Sequence, residues 1–429
     1  MIKKFDNLLN KLFPLNRSIS SSDNIKTLKI LKKEIPINIK KFQVGKKVFD
    51  WKIPKEWKLY YGSIVDTNTK KVIINSKNNN LHVVSYSKSV NKLLSWKELN
   101  KHLFTHTIRD AIPYRTTYYK KNWGFCLSKN HLNKIKNLRG PFKVNIKSSL
   151  KNNDMPYGEL VIKGKSNKEI LISTYICHPS MANDNLSGLL VTAFLAKKIL
   201  STKNNYYTYR IIFVPETIGA IAYSYFNYKK LKSIDSCIII ANVGGPGDFS
   251  YKQSYDNNHF LNSVIESLFK KQSVKYKKYK FDINGSDERQ FSSVGLRVNC
   301  CSIFKDKYYE YKYYHTSKDD LNFVKSASLE KSLKIYTDLY REIEKTRFLI
   351  NLKPNCEVML SKYGLHSSYG GSFKPNKKIN STIEIYKWIL FLSDGKNSID
   401  QICVKLNIEK NILIKFIDKL IKKKLLKYA

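Results

Sequence analysis

Acidic residues are scarce in this chain. Against 77 lysines and arginines stand 34 aspartates and glutamates in 429 residues, a formal net charge of +43. Arginine is scarcer still within the basic total, with 9 arginines beside 68 lysines. Nucleic-acid readers lean on Arg, whose planar fork meets phosphate and guanine bidentately. A lysine excess spread along the chain, with abundant Asn, Ile and Tyr, reads as compositional drift. Nucleic acid is therefore not the expected partner, and an acidic partner is the second reading of the charge. Cysteine is sparse too: the seven, at 126, 177, 237, 300, 301, 356 and 403, make no CxxC knuckle, which argues against a structural zinc cluster. With no signal peptide legible, they are expected as reduced thiols in a cytoplasmic protein. No apolar run reaches 18 residues, so no membrane span is expected. What is present is core-forming material: 42% hydrophobic and 13% aromatic residues exclude wholesale disorder. The length predicts two or three domains.

The texture changes along the chain. Over 1–48, Phe5, Leu8, Leu9, Leu12 and Phe13 recur at helical spacing before Pro14, and a second amphipathic helix is expected from Asn24 to Lys33. Over 49–132, runs such as SIVD, KKVII and LHVVSYS between Asn-rich breaks predict a β-rich domain with one helical stretch near Trp96–Leu103. Over 133–350, apolar strands at 169–176, 209–216 and 236–243 alternate with helices at Leu186–Leu200, Ala220–Tyr228 and 257–271, and Ser328–Leu349 reads as a closing helix. That alternation marks an α/β sheet covered on both faces. Residues 350–375 read as a connector. Residues 376–429 read as a three-helix winged-helix domain, with helices at Ile383–Leu392, Ser398–Leu406 and Asn411–Lys423.

In open α/β sheets ligands bind beyond the carboxyl ends of strands. The loops there carry His178 and Asp184, then Glu216, and a later loop carries His315. Histidines and an aspartate suit zinc, with a glutamate as base. Each residue also has a plainer reading. His178 fits a loop residue, Asp184 a cap for the helix at Leu186, Glu216 a salt-bridge partner and His315 a packed surface histidine.

Four ordered segments resemble a known family, the M28-type zinc aminopeptidases. NDNLSG (183–188) is similar to their ANDNASG segment, which supplies a metal-binding Asp. PETIGA (215–220) resembles their Glu-Glu-x-Gly segment, whose first Glu is the base. SDERQF (286–291) is similar to SDHxxF. YYHTSKDDL (313–321) resembles YHTxxDD, whose His ligates metal. VFDWKIPKEW (48–57), IPYRTTYYKKNWGFCLS (112–128) and STYICHPSMANDNLSG (173–188) extend the resemblance over nearly the whole chain. They point to a subgroup with an inserted β-rich domain and a C-terminal winged helix, many of whose members are described as polysaccharide-biosynthesis proteins with an aminopeptidase-like domain. The resemblance implies a three-layer α/β/α zinc-peptidase-like domain with a mixed sheet, the β-rich insertion lying over the site.

Carried over by position, the resemblance implies His178, Asp184 and His315 as metal ligands and Glu216 as general base. His178 stands only six residues before Asp184, a shorter loop than ordinary members have. Thr217 stands where a second ligand Glu is expected, and no carboxylate appears from Asn242 to Gly245 before Asp248. One zinc ion is therefore expected rather than two, with a degenerate site as the other outcome. Asp287, Glu288 or Glu310 is expected to meet a substrate ammonium. Arg289 is read as meeting a substrate carboxylate or forming a structural ion pair, and Tyr314 lines the site. Tyr114, Arg115, Tyr118, Tyr119 and Trp123 form either a wall over the cleft or an aromatic domain interface.

The leading reading is a zinc-dependent aminopeptidase acting on a peptide or aminoacyl substrate. A second is a deacylase acting on an amino sugar in surface-polysaccharide synthesis. A third is a non-catalytic, peptidase-like binding protein whose winged helix, with Lys410, Lys415, Lys419 and Lys422–Lys424, touches nucleic acid. A homo-oligomer is left open.

Overall fold

The computed structural model describes residues 1–138, 140–366 and 381–429. They form two compact units, Met1–Tyr255 with Val274–Thr337, and Asp256–Ser273 with Asp338–Ala429.

The first unit is built on an eight-stranded sheet. In chain order its strands are β1 (Asn38–Phe42), β2 (Met155–Ile162), β3 (Glu169–Tyr175), β4 (Thr208–Val214), β5 (Ser236–Ile240), β6 (Phe249–Lys252), β7 (Tyr276–Tyr279) and β8 (Asn299–Phe304). They lie side by side as β1-β2-β4-β3-β5-β8-β6-β7. The four central strands, β4, β3, β5 and β8, are mutually parallel. The joins of β2 to β4, β1 to β2 and β6 to β8 are antiparallel. The sheet is thus mixed, as expected. Every residue of β3, β5 and β8 is buried, which is why those segments read as unbroken apolar runs.

Helices α1 (Ile2–Leu12) and α2 (Ser22–Lys32) occupy the N-terminal stretch, α3 (Gly188–Ser201) links β3 to β4, and α4 (Ile218–Phe226) follows β4. Phe5 of α1 meets Phe194 of α3 edge-on at 4.8 Å. The helix expected from Leu186 begins two residues later. Residues Ala182–Ser187 form a wider turn in which Asp184 and Asn185 leave helical angles. Gly188 starts α3 against the end of β5: a Cβ there would stand 2.3 Å from Asn185 Oδ1 and 2.4 Å from the Ile240 carbonyl oxygen.

The β-rich stretch is a four-stranded antiparallel sheet, ordered Val72–Asn75, Glu56–Asp66, Phe142–Lys151, Val90–Leu94. Its long strand Phe142–Lys151 comes from beyond residue 132, because Phe142, Val144 and Ile146 alternate onto the buried face. The helix expected near Trp96–Leu103 is shorter, Trp96–Leu99, with a capping box from Ser95 and Glu98 and a 3-10 turn after it.

In the second unit the helices Thr382–Leu392, Ile399–Leu406 and Lys410–Lys422 enclose Leu349, Ile389, Ile402, Leu413, Ile417 and Leu420. Three short strands pair antiparallel in the order Asp394–Ser398, Phe348–Asn351, Leu426–Tyr428. A strand therefore stands where the sequence suggested a turn at Asp394. The helix expected over Ser328–Leu349 runs Ser326–Lys345 and gives way to the strand at Phe348. Part of the expected connector, and residues 376–380 of the expected winged helix, lie outside the described residues.

Candidate metal centre

The crevice at the carboxyl ends of β3 and β4 gathers the four residues singled out from sequence. β3 ends at Tyr175, and the chain passes at once through Cys177 and His178 into the turn carrying Asp184. β4 ends at Val214, two residues before Glu216. The loop after β8 delivers His315. One donor atom each from His178, Asp184 and His315 lie within 4.8 Å of one another. Cys177, His178 and Glu216 meet the same test. His315 Nε2 stands 3.1 Å from Asp184 Oδ2, and His178 Nε2 stands 3.6 Å from Glu216 Oε2.

The plainer readings of Asp184 and Glu216 fail on geometry. Asp184 makes no cap for α3; it is 1% exposed and faces His315 and Tyr175. Glu216 pairs with no lysine or arginine among the described residues, and accepts a hydrogen bond from Ser286 Oγ at 2.8 Å. His315 stacks on Tyr314 with ring centroids 3.9 Å apart, and its Nε2 faces Asp184 Oδ2 at 3.1 Å.

The surroundings tune these groups. Burial pushes the His178 imidazole down to about 4, so it is neutral near pH 7, the form that ligates metal. Burial opposes ionisation of Asp184, yet the two imidazoles and the Tyr175 hydroxyl outweigh it and hold the carboxyl low. Burial lifts the Glu216 carboxyl to about 7, and the Asp184 charge adds to the rise. A carboxylate poised there suits a general base.

Several residues that sequence reasoning passed over hold this arrangement. Tyr175 donates to Asp184 Oδ1 at 2.5 Å. Asp319 accepts the backbone N–H of Asn183 (2.6 Å) and of Asp184 (2.9 Å), and the hydroxyl of Tyr311 (2.9 Å). Cys177 Sγ accepts the Glu216 N–H at 3.2 Å and lies 3.6 Å from His178 Nδ1. Arg17, 1% exposed, donates to the His178 carbonyl at 3.0 Å, and burial pulls its guanidinium down to about 10. Only the last residue pair of the SKDD run, with Asp319 in it, carried a visible signal; the others are ordinary core residues by type.

Two expectations are corrected. Glu288, expected at a substrate ammonium, points into the protein. It is 1% exposed and held by Lys252 Nζ (3.1 Å) and the Tyr308 hydroxyl (2.6 Å). Asp287 is fully buried and accepts the Thr217 N–H at 2.7 Å. Glu288 is thus fully paired, whereas Asp287 Oδ2 is buried without a hydrogen-bond partner, and burial with the Glu216 charge holds that carboxyl well above its ordinary range. Glu310 is taken by Tyr279 and Lys307 on the surface. Arg289 remains exposed, its Nη2 3.5 Å from Thr217 Oγ1. Asp248 is three-quarters exposed beside Lys275, and Asn242 instead of an acid sits 3.1 Å from the Tyr175 hydroxyl. Of the expected aromatic wall, Tyr114 meets both His178 (5.3 Å) and His315 (5.2 Å) edge-on, whereas Trp123 is buried on His102. The Tyr114 N–H also donates to the His315 carbonyl at 2.7 Å, which straps the β-rich stretch to the ligand loop.

Comparison with known proteins places this crevice in context. Residues 6–346 match the family described as "Domain of unknown function (DUF4910)". A protein of Clostridium acetobutylicum described as a polysaccharide biosynthesis protein with an aminopeptidase-like domain is 39% identical over 407 residues, covering 94% of this chain and 91% of that one. A crystal structure described as a peptidase from the same organism superposes with a TM-score of 0.79 at 37% identity, covering 100% of this chain and 96% of that one. A zinc aminopeptidase from Bacillus subtilis shares the fold, with a TM-score of 0.56 at 12% identity over 79% of this chain and 95% of that one. The aminopeptidase-like fold expected from the motifs is therefore present.

Proposed function

The chain belongs to the DUF4910 family, and from that premise we propose that it is a metal-dependent hydrolase of amide bonds, an aminopeptidase in its simplest form. The observation that carries the reading is the convergence of His178, Asp184 and His315 on one point, with the Glu216 carboxylate beside His178. The donor set fits zinc: a neutral buried imidazole, an ionised aspartate and a second imidazole whose Nε2 faces that aspartate at 3.1 Å. A zinc ion there supplies a Lewis acid and lowers the pKa of bound water toward about 7. Asp184, fixed by Tyr175 and Asp319, keeps its carboxylate aimed at His315. Glu216 accepts a proton from the attacking water and returns it to the leaving amine, oriented by Ser286. With Thr217 and Asn242 in place of further acids, one ion is favoured over two. Arg289 and Tyr314 are the side chains left at the rim to meet substrate.

A second substrate class has one specific support, the description of the Clostridium acetobutylicum relative as a polysaccharide biosynthesis protein. On that reading the same centre removes an acyl or aminoacyl group from an amino sugar. A cytoplasmic setting suits either substrate. Among the described residues no helix is long and apolar enough to cross a membrane.

The test is metal analysis with turnover of aminoacyl anilides and N-acylated amino sugars. Glu216→Gln is expected to keep its zinc and lose about 10²–10⁴-fold in turnover. His315→Ala is expected to lose the metal. Full turnover by Glu216→Gln would overturn the base assignment.

A further inference from the structure

A row of exposed aromatic rings lies on the first unit, outside the metal centre. Phe49 sits at the tip of the hairpin Lys47–Val48 with Trp51–Lys52, and is 46% exposed. Its ring meets Tyr225 at 5.3 Å and Tyr228 at 6.2 Å. Farther along the hairpin, Trp51 lies 6.1 Å from Tyr119, and the Tyr119 hydroxyl donates to the Lys52 carbonyl at 2.7 Å. Tyr118, the chain neighbour of Tyr119, is 50% exposed. Contiguous exposed apolar surface on a folded unit marks a contact site.

Beneath Phe49 and Tyr228 opens a pocket of about 250 Å³ whose other walls include Ile221, Ser224, Gln290 and Leu296. Ser224 is 2% exposed, and its hydroxyl has no hydrogen-bond partner. A buried hydroxyl left unpaired is destabilising, and a ligand hydroxyl in the pocket would satisfy it. Lysines frame the surface: Lys47 and Lys52 face each other across the hairpin, and Lys232 Nζ stands 5.6 Å over the Tyr228 ring.

We propose that this surface binds an acidic oligosaccharide, one sugar ring seated in the pocket under Phe49 and Tyr228. Sugar rings present apolar C–H faces to aromatic rings and hydroxyls to groups such as Ser224. Tyr and Trp, apolar in the body and polar at the tip, suit such a half-wet surface. The lysines fit carboxylates on the glycan. Single-stranded nucleic acid also combines rings with cations, but the pocket of about 250 Å³ under the rings, with the unpaired Ser224 hydroxyl in its wall, is shaped for one ring bearing hydroxyls. The proposal does not rest on the hydrolase reading, since it concerns binding apart from turnover.

The test is calorimetric titration of the full zinc-loaded chain with a uronic-acid oligosaccharide, a neutral oligosaccharide and oligo(dT), for wild type, Phe49→Ala, Trp51→Ala and Tyr228→Ala. Circular dichroism and anilide turnover report folding and the metal centre separately. The expected result is saturable binding of the uronate, weakened about tenfold or more by each variant, with turnover unchanged. Preference for oligo(dT), binding of no glycan, or uronate binding untouched in all the variants overturns the proposal.

Discussion

Arg210 is the perturbation that most directly tests how the sheet supports the crevice. It lies on β4, 13% exposed at the side chain, between two carboxylates that are 7% and 4% exposed. Its Nη1 is 2.8 Å from Glu159 on β2, and its Nε is 2.9 Å from Glu169 on β3. Lys40 (2.5 Å) and the Tyr223 hydroxyl (2.6 Å) also hold Glu159, and Lys230 (2.6 Å) holds Glu169. Arg210→Met removes these two short charge-assisted hydrogen bonds, each worth about 1.5–3 kcal/mol, and a longer one from Nη2 to Glu169 Oε1 at 3.5 Å. The remaining lysines and Tyr223 recover part of that. The expected loss is about 3 kcal/mol at pH 7, inside the range for breaking a buried ion pair. For a unit of this size that is a fall of about 4–5 °C in Tm. Burial alone would raise both carboxyls, yet their partners hold them below the ordinary range. A depressed folded-state pKa contributes stability above the unfolded value of about 4.3, and loses it as pH falls through the folded value. The gap between wild type and Arg210→Met should therefore close on acidification below pH 4. Urea unfolding of the full chain, followed by tryptophan fluorescence from pH 7 to pH 3, reads both effects. A gap under about 1 kcal/mol at pH 7, or one unchanged at pH 3, would refute the reasoning.

Asp319→Asn leaves one carbonyl oxygen where two oxygens now accept the N–H groups of Asn183 and Asp184. Zinc affinity is expected to fall about 10–100-fold, as for other residues that orient a ligand, and competition with a chromophoric chelator measures it. Gly188→Ala sets a Cβ against the Ile240 carbonyl oxygen; it should lower Tm by several degrees in a thermal melt and weaken zinc binding together, because the Asp184 turn must move.

The order of strands and helices was legible because β3, β5 and β8 are buried on both faces and so spell continuous apolar words. The four residues proposed for the metal centre were legible for a related reason. Each stands within a few residues of a strand end or in a motif with a fixed internal spacing. Boundaries were less so. The start of α3 slipped from Leu186 to Gly188 because Asp184 turns its carboxylate into the crevice and leaves the capping role empty. The long strand Phe142–Lys151 was missed as part of the β-rich sheet because its partner, Glu56–Asp66, lies far back along the chain.

The supporting residues were illegible for a deeper reason. Arg17, Tyr175, Cys177 and Ser286 act through one or two hydrogen bonds across long sequence separations, 161 residues for Arg17 to His178 and 70 for Ser286 to Glu216. No local period or motif encodes such a pair. The same holds for the misread acids. Asp287 and Glu288 sit in a segment that looks like a site motif, and what decides their role is Thr217 on another loop and Lys252 on β6. A carboxylate beside a metal centre serves substrate only if no buried cation or backbone N–H claims it first. Glu288 is claimed in this way by Lys252, Tyr308 and the Ser286 N–H, whereas Asp287 gives one oxygen to the Thr217 N–H and keeps the other unpaired.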